Sequence, residues 1–270
     1  MMHYRHNASR SMFRRYEEAI RKADLSSITD ARSIPIEFLV KQDGSVAVNY
    51  IPFDWVNPEA RIVLVGITPG FTQWLNAVRE AQLQVRAGAD EETVLRKAKQ
   101  TGAFSGSMRP NLVALLDHFN LHKWLGIHSC QQLFGEAAHL VQTTSALRYP
   151  VFLDGENYGG STPSMTRHPV LRHLLVEHFL PEAQQLKNAV FVPLGPKVSE
   201  ALSWLAGQGL IDGRRVLDGM PHPSGANAER INYILGKKAR TALSAKTDPV
   251  RLDLARDALH AKVGALINET

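Results

Sequence analysis

Two short motifs carry the residues of this sequence that are best suited to chemistry. His222 lies between Pro221 and Pro223, and flanking prolines restrict the backbone so that the imidazole can point in only one direction. Thr68 lies in the turn Gly66-Ile67-Thr68-Pro69-Gly70, where glycine lets a ligand approach the backbone closely. Each motif, taken alone, also occurs in ordinary turns that have no function in binding or catalysis. Their meaning depends on whether the fold brings them together.

The secondary-structure elements around the two motifs predict that the fold brings the motifs together. Short apolar runs typical of strands are separated by stretches with helical spacing, and this alternation predicts a parallel sheet covered by helices on both faces, a three-layer α/β/α fold. The first motif follows the first strand and the second motif ends the fourth, so both are expected at the carboxyl edge of the sheet, where ligands bind. The predicted strands cover 62–66, 139–144, 189–195 and 215–221, and the predicted helices 72–100 (broken near Gly88), 112–120, 169–180 and 198–209.

Further elements are expected outside this core. Helical spacing marks 11–24 and 249–268, and the Asp43-Gly44 turn within 36–53 predicts a β-hairpin. The glycine-rich stretch 154–164 is the best candidate for a mobile loop. The predicted organisation is an N-terminal helix and hairpin extension (1–60), an α/β core (61–235) and a C-terminal helical extension (236–270).

Composition limits the classes of function. Cys130 is the only cysteine, which excludes an internal disulfide, a zinc site built on several cysteines and a four-cysteine iron–sulfur cluster, and favours a reducing, cytoplasmic setting. No apolar run has the length of a membrane span, and the basic N-terminus lacks the apolar segment of a signal peptide. The net charge of +5 is compatible with a polyanionic partner. Basic side chains cluster near the N-terminus (Arg5, Arg10, Arg14, Arg15, Arg21, Lys22) and after His222 (Arg230, Lys237, Lys238, Arg240).

A metal site is not expected. His118 and His122 have the i, i+4 spacing of two ligands on one helix face, but the sequence offers no third ligand near them. Solvated or capping histidines are therefore favoured. The sequence predicts neither a metal nor another cofactor.

Together, the two motifs resemble the uracil-DNA glycosylase superfamily. The order and separation of the GxxPG turn and the HPS motif are similar to those of that superfamily. The stretch 102–121 is similar to the phenylalanine-containing loop and following helix of its bacterial branches, and 168–202 is similar to the stretch that leads into its third strand and next helix. The resemblance covers 61–227 and leaves both chain ends outside.

The resemblance implies a fold and a mechanism. The superfamily has a four-stranded parallel sheet in spatial order 2-1-3-4, and it flips a damaged base out of DNA into a pocket at the carboxyl edge. His222 would donate a hydrogen bond to the departing base. Thr68 occupies the position at which members carry Asp or Asn to activate or orient water. Phe104, or alternatively Phe71, would stack on the flipped base.

The remaining implied site residues form two groups. The base pocket would be lined by Gly66, Ile67, Pro69 and Gly70, with Gln142, Thr143 or Thr144 near the position of the uracil-reading asparagine. DNA would be contacted by Pro223, Ser224, Gly225, Asn227, Arg230 and Lys197. A hydroxyl cannot reproduce the donor and acceptor pair of an amide, and Thr68 is not a general base at neutral pH. The expected function is therefore a DNA glycosylase whose preferred base differs from uracil.

Two alternatives remain open at the level of sequence. One is a DNA-binding member of the same fold that is inactive because it lacks the Asp or Asn. The other is a binder of small nucleotides or nucleosides that uses the same cleft. The preference for single- or double-stranded DNA and the oligomeric state stay open as well.

Overall fold

The computed structural model describes residues 11–104 and 108–268. Residues 105–107 of the phenylalanine-containing loop, and Arg5 and Arg10 of the basic N-terminal group, lie outside the described residues. The strands of the described part are β1 (Leu39–Asp43), β2 (Val46–Asn49), β3 (Ile62–Gly66), β4 (Val141–Ser145), β5 (Val151–Leu153), β6 (Glu156–Asn157) and β7 (Val190–Pro193).

The same residues form the α-helices α1 (Met12–Lys22), α2 (Phe71–Arg86), α3 (Glu91–Gly102), α4 (Met108–His118), α5 (Leu121–Leu125), α6 (Pro169–Leu174), α7 (Leu180–Gln185), α8 (Pro196–Gly207), α9 (Ala228–Ile234) and α10 (Pro249–Asn268). A π-helical turn, Leu175–Phe179, connects α6 to α7. The predicted helices at 11–24, 72–100 and 249–268 are confirmed, including the break at Gly88, whose φ is +72°.

Within the described residues, one compact unit consists of 11–55, 70–102 and 149–157. Its sheet is antiparallel in the order β1-β2-β5-β6. The predicted Asp43-Gly44 hairpin is confirmed as the β1–β2 pair. A second hairpin turns at Asp154-Gly155, where both residues have positive φ as a tight two-residue hairpin turn requires. The expectation of a loop throughout 154–164 is therefore wrong at its start.

Aromatic packing fills the core of this unit. Tyr16 of α1 stacks on Tyr50 with the ring centroids 4.3 Å apart. Trp74 of α2 is fully buried and donates its indole N–H to the carbonyl of Tyr50 at 2.8 Å. Helices α2 and α3 meet at Gly102, where an added methyl group would lie 2.9 Å from the ring of Phe53. The amphipathic helices thus cover the sheet through close side-chain contacts.

The other compact unit consists of the described residues 56–69, 103–104, 108–148 and 158–268. Its sheet is parallel, with β3 in the centre and β4 and β7 on either side. All five residues of β3 are buried, as expected for a strand covered on both faces. The predicted α/β class with a parallel sheet is confirmed.

The fourth predicted strand, 215–221, does not form a ladder. Val216 makes a single parallel bridge with Phe191, and the N–H of Leu217 donates to the carbonyl of Phe191 at 2.8 Å. Gly219 then adopts φ +112°, and Pro221 has no N–H to donate. Both features interrupt regular pairing, so the parallel sheet contains three strands in the spatial order 2-1-3 of the prediction.

The two units do not follow the predicted boundaries at 60 and 235. Strand β5 pairs with β2 over three positions, from Val46–Leu153 to Val48–Val151. Helices α2 and α3 belong to the unit of the N-terminal hairpin. Such long-range pairing leaves no local signal in the sequence. No helix in the described part of the chain combines the length and apolarity that a membrane span needs.

Candidate functional site

The end of β3 brings a glycine, an aromatic ring and a hydroxyl together. Gly66 lies opposite Ser145 in the β3–β4 register. A methyl group added to Gly66 would lie 3.3 Å from Oγ of Ser145 and 3.4 Å from the ring of Phe104. Glycine at this position therefore lets an apolar ring and a hydroxyl, which can donate or accept a hydrogen bond, approach the end of β3 closely.

Phe104 is held in an unusual conformation. Its φ is +48°, a left-handed value that is uncommon for a bulky residue, and its side chain is buried. The guanidinium of Arg109 helps to hold this conformation, because its Nε donates to the carbonyl of Phe104 at 3.3 Å. The same guanidinium is itself held over the ring of Phe134, 4.6 Å from the ring centroid. Strained residues that their surroundings hold in place are frequent at ligand sites.

The second motif fixes the orientation and protonation of His222. Gly195 has φ +95°, and a methyl group there would lie 2.9 Å from Cβ of His222. The N–H of Ser224 donates to Nδ1 of His222 at 3.2 Å, so a neutral imidazole carries its proton on Nε2. Burial lowers the pKa of His222 below its ordinary value. At neutral pH, the ring is therefore an uncharged hydrogen-bond donor through Nε2.

Hydrogen bonds connect the two motifs at one edge of the parallel sheet. The N–H of Leu194, at the end of β7, donates to the carbonyl of Val65 at 2.9 Å, and the N–H of Gly195 donates to the carbonyl of Met220 at 3.2 Å. From the other side, the Asn111 side chain donates to the carbonyl of Pro223 at 3.0 Å. Asn111 belongs to α4, which follows Phe104 in the chain. Helix α4 is thus bonded directly to the loop that contains His222.

The residues predicted to contact DNA form a local network. The Asn227 side-chain amide donates to Oγ of Ser224 at 3.2 Å, and Arg230 donates to the side-chain oxygen of Asn227 at 2.8 Å. Gly225 is exposed between them. Lys197, near the start of α8, has its amine 3.1 Å from a carboxylate oxygen of Glu200. These groups lie on or next to the loops that carry His222 and Gly195.

Gln142 and Thr144 lie on the opposite face of β4 from Ser145, because side chains alternate along a strand. Gln142 donates to the carboxylate of Glu182 through a short hydrogen bond, and the Thr144 hydroxyl donates to it at 2.9 Å. The guanidinium of Arg148 pairs with the same carboxylate at 2.8 Å. The structure therefore does not bring Gln142 or Thr144 to the face of the sheet that carries Ser145. Thr143, with the same parity as Ser145, shares its face of the sheet.

This buried network supports the site from behind. Glu182 and Gln142 have no exposed surface, and Gln142 also accepts the N–H of Asn57 at 3.0 Å. The residues that follow β4 donate to the first motif, from Ala146 to the carbonyl of Gly66 at 2.8 Å and from Leu147 to that of Ile67 at 2.9 Å. The Glu182–Arg148 pair thus anchors the segment that holds the Gly66 turn.

The rest of the first motif is divided between the two units. Ile67 and Thr68 are half-buried and Pro69 is buried, in the unit that contains His222. Gly70 and Phe71 belong to the other unit. There the N–H of Phe71 donates to the side chain of Asn157 at 2.9 Å, and its ring stacks on Trp74. Of the two predicted stacking residues, Phe104 is the one found in the unit of His222.

Two residues of the candidate site were not predicted from the sequence. Ser145 is the last residue of β4, and strand alternation together with the end of the apolar run at Gly66 could have identified it. Asn111 could not have been identified, because its hydrogen bond to Pro223 joins positions far apart in the chain. Both are added to the candidate site.

Other clusters in the described part of the chain do not form a metal centre. No group of three or more histidine, cysteine, aspartate or glutamate side chains has an arrangement that could hold a metal ion there. His118 instead packs on His260, with ring centroids 5.2 Å apart. A cleft of about 470 Å³ between the end of α7 and the turn after α8 contains none of the candidate site residues.

Comparisons with known proteins give one relative. Over 232 residues, 85% of this chain and 91% of the relative, the sequence is 33% identical to a Bacillus subtilis (strain 168) protein described as uncharacterized protein YoxB. No protein-family model matches the chain. No solved structure matches it either.

Proposed function

The chain belongs to the family of Bacillus subtilis YoxB, and for this member we propose the activity of a DNA base glycosylase that flips a modified base out of the strand and hydrolyses its bond to the sugar. The observation that carries the proposal is the orientation of His222, whose Nδ1 accepts the N–H of Ser224 and whose loop is bonded to α4 through Asn111. A donor that is neutral at pH 7 and an aromatic ring are what a leaving base requires.

Each group then has a definite task. Phe104 stacks on the extruded base, and Ser145 exchanges one hydrogen bond with its edge. Water adds to the anomeric carbon of the sugar while the base departs with the bonding electrons, so negative charge develops on the base. The Nε2–H group of His222 donates to that charge. The proton that the water loses compensates the charge of the released base, and the products are a free base and an abasic strand.

The choice of base follows from two hydroxyl side chains. Thr68 can hold a water molecule but accepts its proton poorly, and Ser145 offers one hydroxyl where an amide would offer both a donor and an acceptor. A base that leaves readily, or one that is bound by extra contacts, depends less on these groups than plain uracil does. The proposed substrate is therefore a modified base other than uracil. Incubation with oligonucleotides that carry a panel of modified bases, followed by detection of abasic sites, tests this.

Substitution of Thr68 should change the preference. We expect slow excision of uracil by the wild type and faster excision by Thr68→Asp or Thr68→Asn, because these side chains supply a proton acceptor or an amide that orients water. A gain of about 10-fold or more, within the usual contribution of a positioned acid or base, is expected for at least one of them. Thr72→Asn, at an exposed position of α2, is the matched control. Rapid excision of uracil by the wild type would contradict the argument from Thr68.

Binding to DNA should depend steeply on salt. The phosphates of DNA would be neutralised by Arg230, Lys197 and the cations after α9 (Lys237, Lys238 and Arg240). Each neutralised phosphate releases counterions. Affinity for an undamaged oligonucleotide is expected to fall by about 10-fold or more between 50 and 200 mM salt if three or more phosphates are contacted. Fluorescence anisotropy measures this. Absence of binding at low salt would contradict both the glycosylase and any other function on DNA.

A second candidate is a DNA-binding protein of the same family without excision activity. The feature that favours it is Thr68, which stands where the resemblance places the Asp or Asn that activates or orients water. Salt-dependent binding without excision of any base in the panel would support it. Binding of free nucleotides but not of DNA would instead support the small-ligand alternative.

The proposal extends to the sheet and to the location of the protein. We propose that the segment 216–220 takes the place of the fourth strand, giving the order 2-1-3-4, since it runs beside β7 through the bridge at Val216 and the contact of Gly195 with Met220. A DNA substrate and the single cysteine favour the cytoplasm as the place of action.

A further inference from the structure

The segment that leads into His222 has little support from the sheet. It is an edge segment, and after the bridge between Val216 and Phe191 only isolated hydrogen bonds connect it to the neighbouring strand. A catalytic side chain needs a position defined to a fraction of an ångström. Contacts from outside the sheet are therefore needed in addition to those of Gly195 to define the path from Val216 to His222.

Helix α10 makes the first of two contacts with this segment through Lys262. The Lys262 amine donates to the carbonyl of Val216 at 3.1 Å and to the carboxylate of Asp218. The amine thus satisfies a main-chain carbonyl at the open edge of the sheet and an adjacent acidic side chain at once. Lys262 itself remains partly exposed.

The second contact is a backbone approach. Gly219 has φ +112°, and a methyl group added to it would lie 2.7 Å from the carbonyl oxygen of Ala255. No other residue can take this position without displacing either α10 or the segment. Met220 and Pro221 follow Gly219 directly and lead to His222.

The distance between the two contact points is about the same along α10 as along the segment that leads into His222. Ala255 and Lys262 are seven residues apart, two turns of one helix face, or about 10.5 Å at 1.5 Å per residue. Val216 and Gly219 are three residues apart, about 10 Å in extended chain. Since Lys262 contacts Val216 and Ala255 contacts Gly219, the helix runs antiparallel to the segment. Leu259, between the two contact points, has no exposed surface.

We propose that α10 is a positioning element for His222, acting through Lys262 on Val216 and Asp218 and through the backbone of Ala255 on Gly219. The inference rests on the proposed function for the meaning of His222, but the contacts are independent of it. It assigns a role to the C-terminal extension, which lies outside the stretch that resembles the glycosylase superfamily. The helix supplies the lateral support that a neighbouring strand would give to an inner strand.

The test measures the environment of the His222 ring directly and does not depend on enzymatic activity. Lys262→Met removes the charge and the donors but keeps the length of the side chain, and Gly219→Ala forces the backbones apart. Lys246→Met, at an exposed position in the loop before α10, is the matched control. NMR titration of the His222 ring and hydrogen exchange of the Ser224 amide, which donates to Nδ1, report the geometry directly.

In both variants the titration midpoint of His222 is expected to rise toward the ordinary value of about 6.5 as the ring becomes less buried. The Ser224 amide should exchange about 5-fold faster or more, the effect of weakening one hydrogen bond. The control should match the wild type. If Gly219→Ala does not fold, Lys262→Met decides, and an unchanged His222 in that variant overturns the proposal. Absence of excision by the wild type would refute the proposed function without touching this result.

Discussion

His222→Ala is expected to lower the rate of base excision by on the order of 100-fold or more, the usual effect of removing one preorganised donor to a developing anion. The neutral ring presents its proton on Nε2 because Nδ1 accepts the N–H of Ser224, and alanine leaves no donor there. Single-turnover rates on the preferred substrate measure the chemical step. Affinity for undamaged DNA should change little, because the phosphate contacts are assigned to other residues.

Two comparison variants sharpen this prediction. His222→Gln places an amide donor near the same point and should retain more activity than His222→Ala. His173→Ala removes an imidazole that is largely exposed on α6, and it should leave the rate unchanged. Equal rates for His222→Ala and the wild type would remove His222 from the mechanism.

The elements that were predicted correctly from the sequence are those that a local pattern of residues determines. The apolar run at 62–66 and the turn after it determine the central strand and its glycine-rich end, and both were found where expected. The hairpin at Asp43-Gly44 was predicted because the turn conformation is encoded in those two residues. The same reasoning applied to Asp154-Gly155 would have revealed the β5–β6 hairpin.

What the sequence could not predict depends on side-chain direction and on distant partners. A shift of one residue along a strand moves a side chain to the opposite face, so the assignment of Gln142 and Thr144 to the base pocket missed Ser145. The pairing of β5 with β2 and the contact of α10 with Gly219 join positions that share no local pattern.

Glu182→Ala is expected to lower the free energy of unfolding by about 3–5 kcal/mol, because removal of one partner leaves the other charge of a buried pair uncompensated. Glu182 has no exposed surface, and the pairing guanidinium of Arg148 is largely buried. The loss also frees the side chains of Gln142 and Thr144 from a shared acceptor. Urea denaturation at pH 7, analysed by linear extrapolation, measures the change.

The control for this prediction lies on the same helix. Gln185→Ala, at an exposed position of α7, should change stability by less than about 0.5 kcal/mol. Glu182→Gln keeps hydrogen-bonding capacity and should fall between the two. A loss below about 1 kcal/mol for Glu182→Ala would show that Arg148 finds compensation elsewhere, in conflict with the anchoring role given to the pair.

The central claim, base excision at the His222 site, is tested most directly by identifying the products. Wild-type protein and His222→Ala would be incubated with the oligonucleotide panel, and mass spectrometry would quantify the free base and the abasic strand. We expect equimolar free base and abasic strand from at least one modified oligonucleotide with the wild type, and on the order of 100-fold less with His222→Ala. No free base from any oligonucleotide, or release of a nucleoside or nucleotide instead, would contradict it.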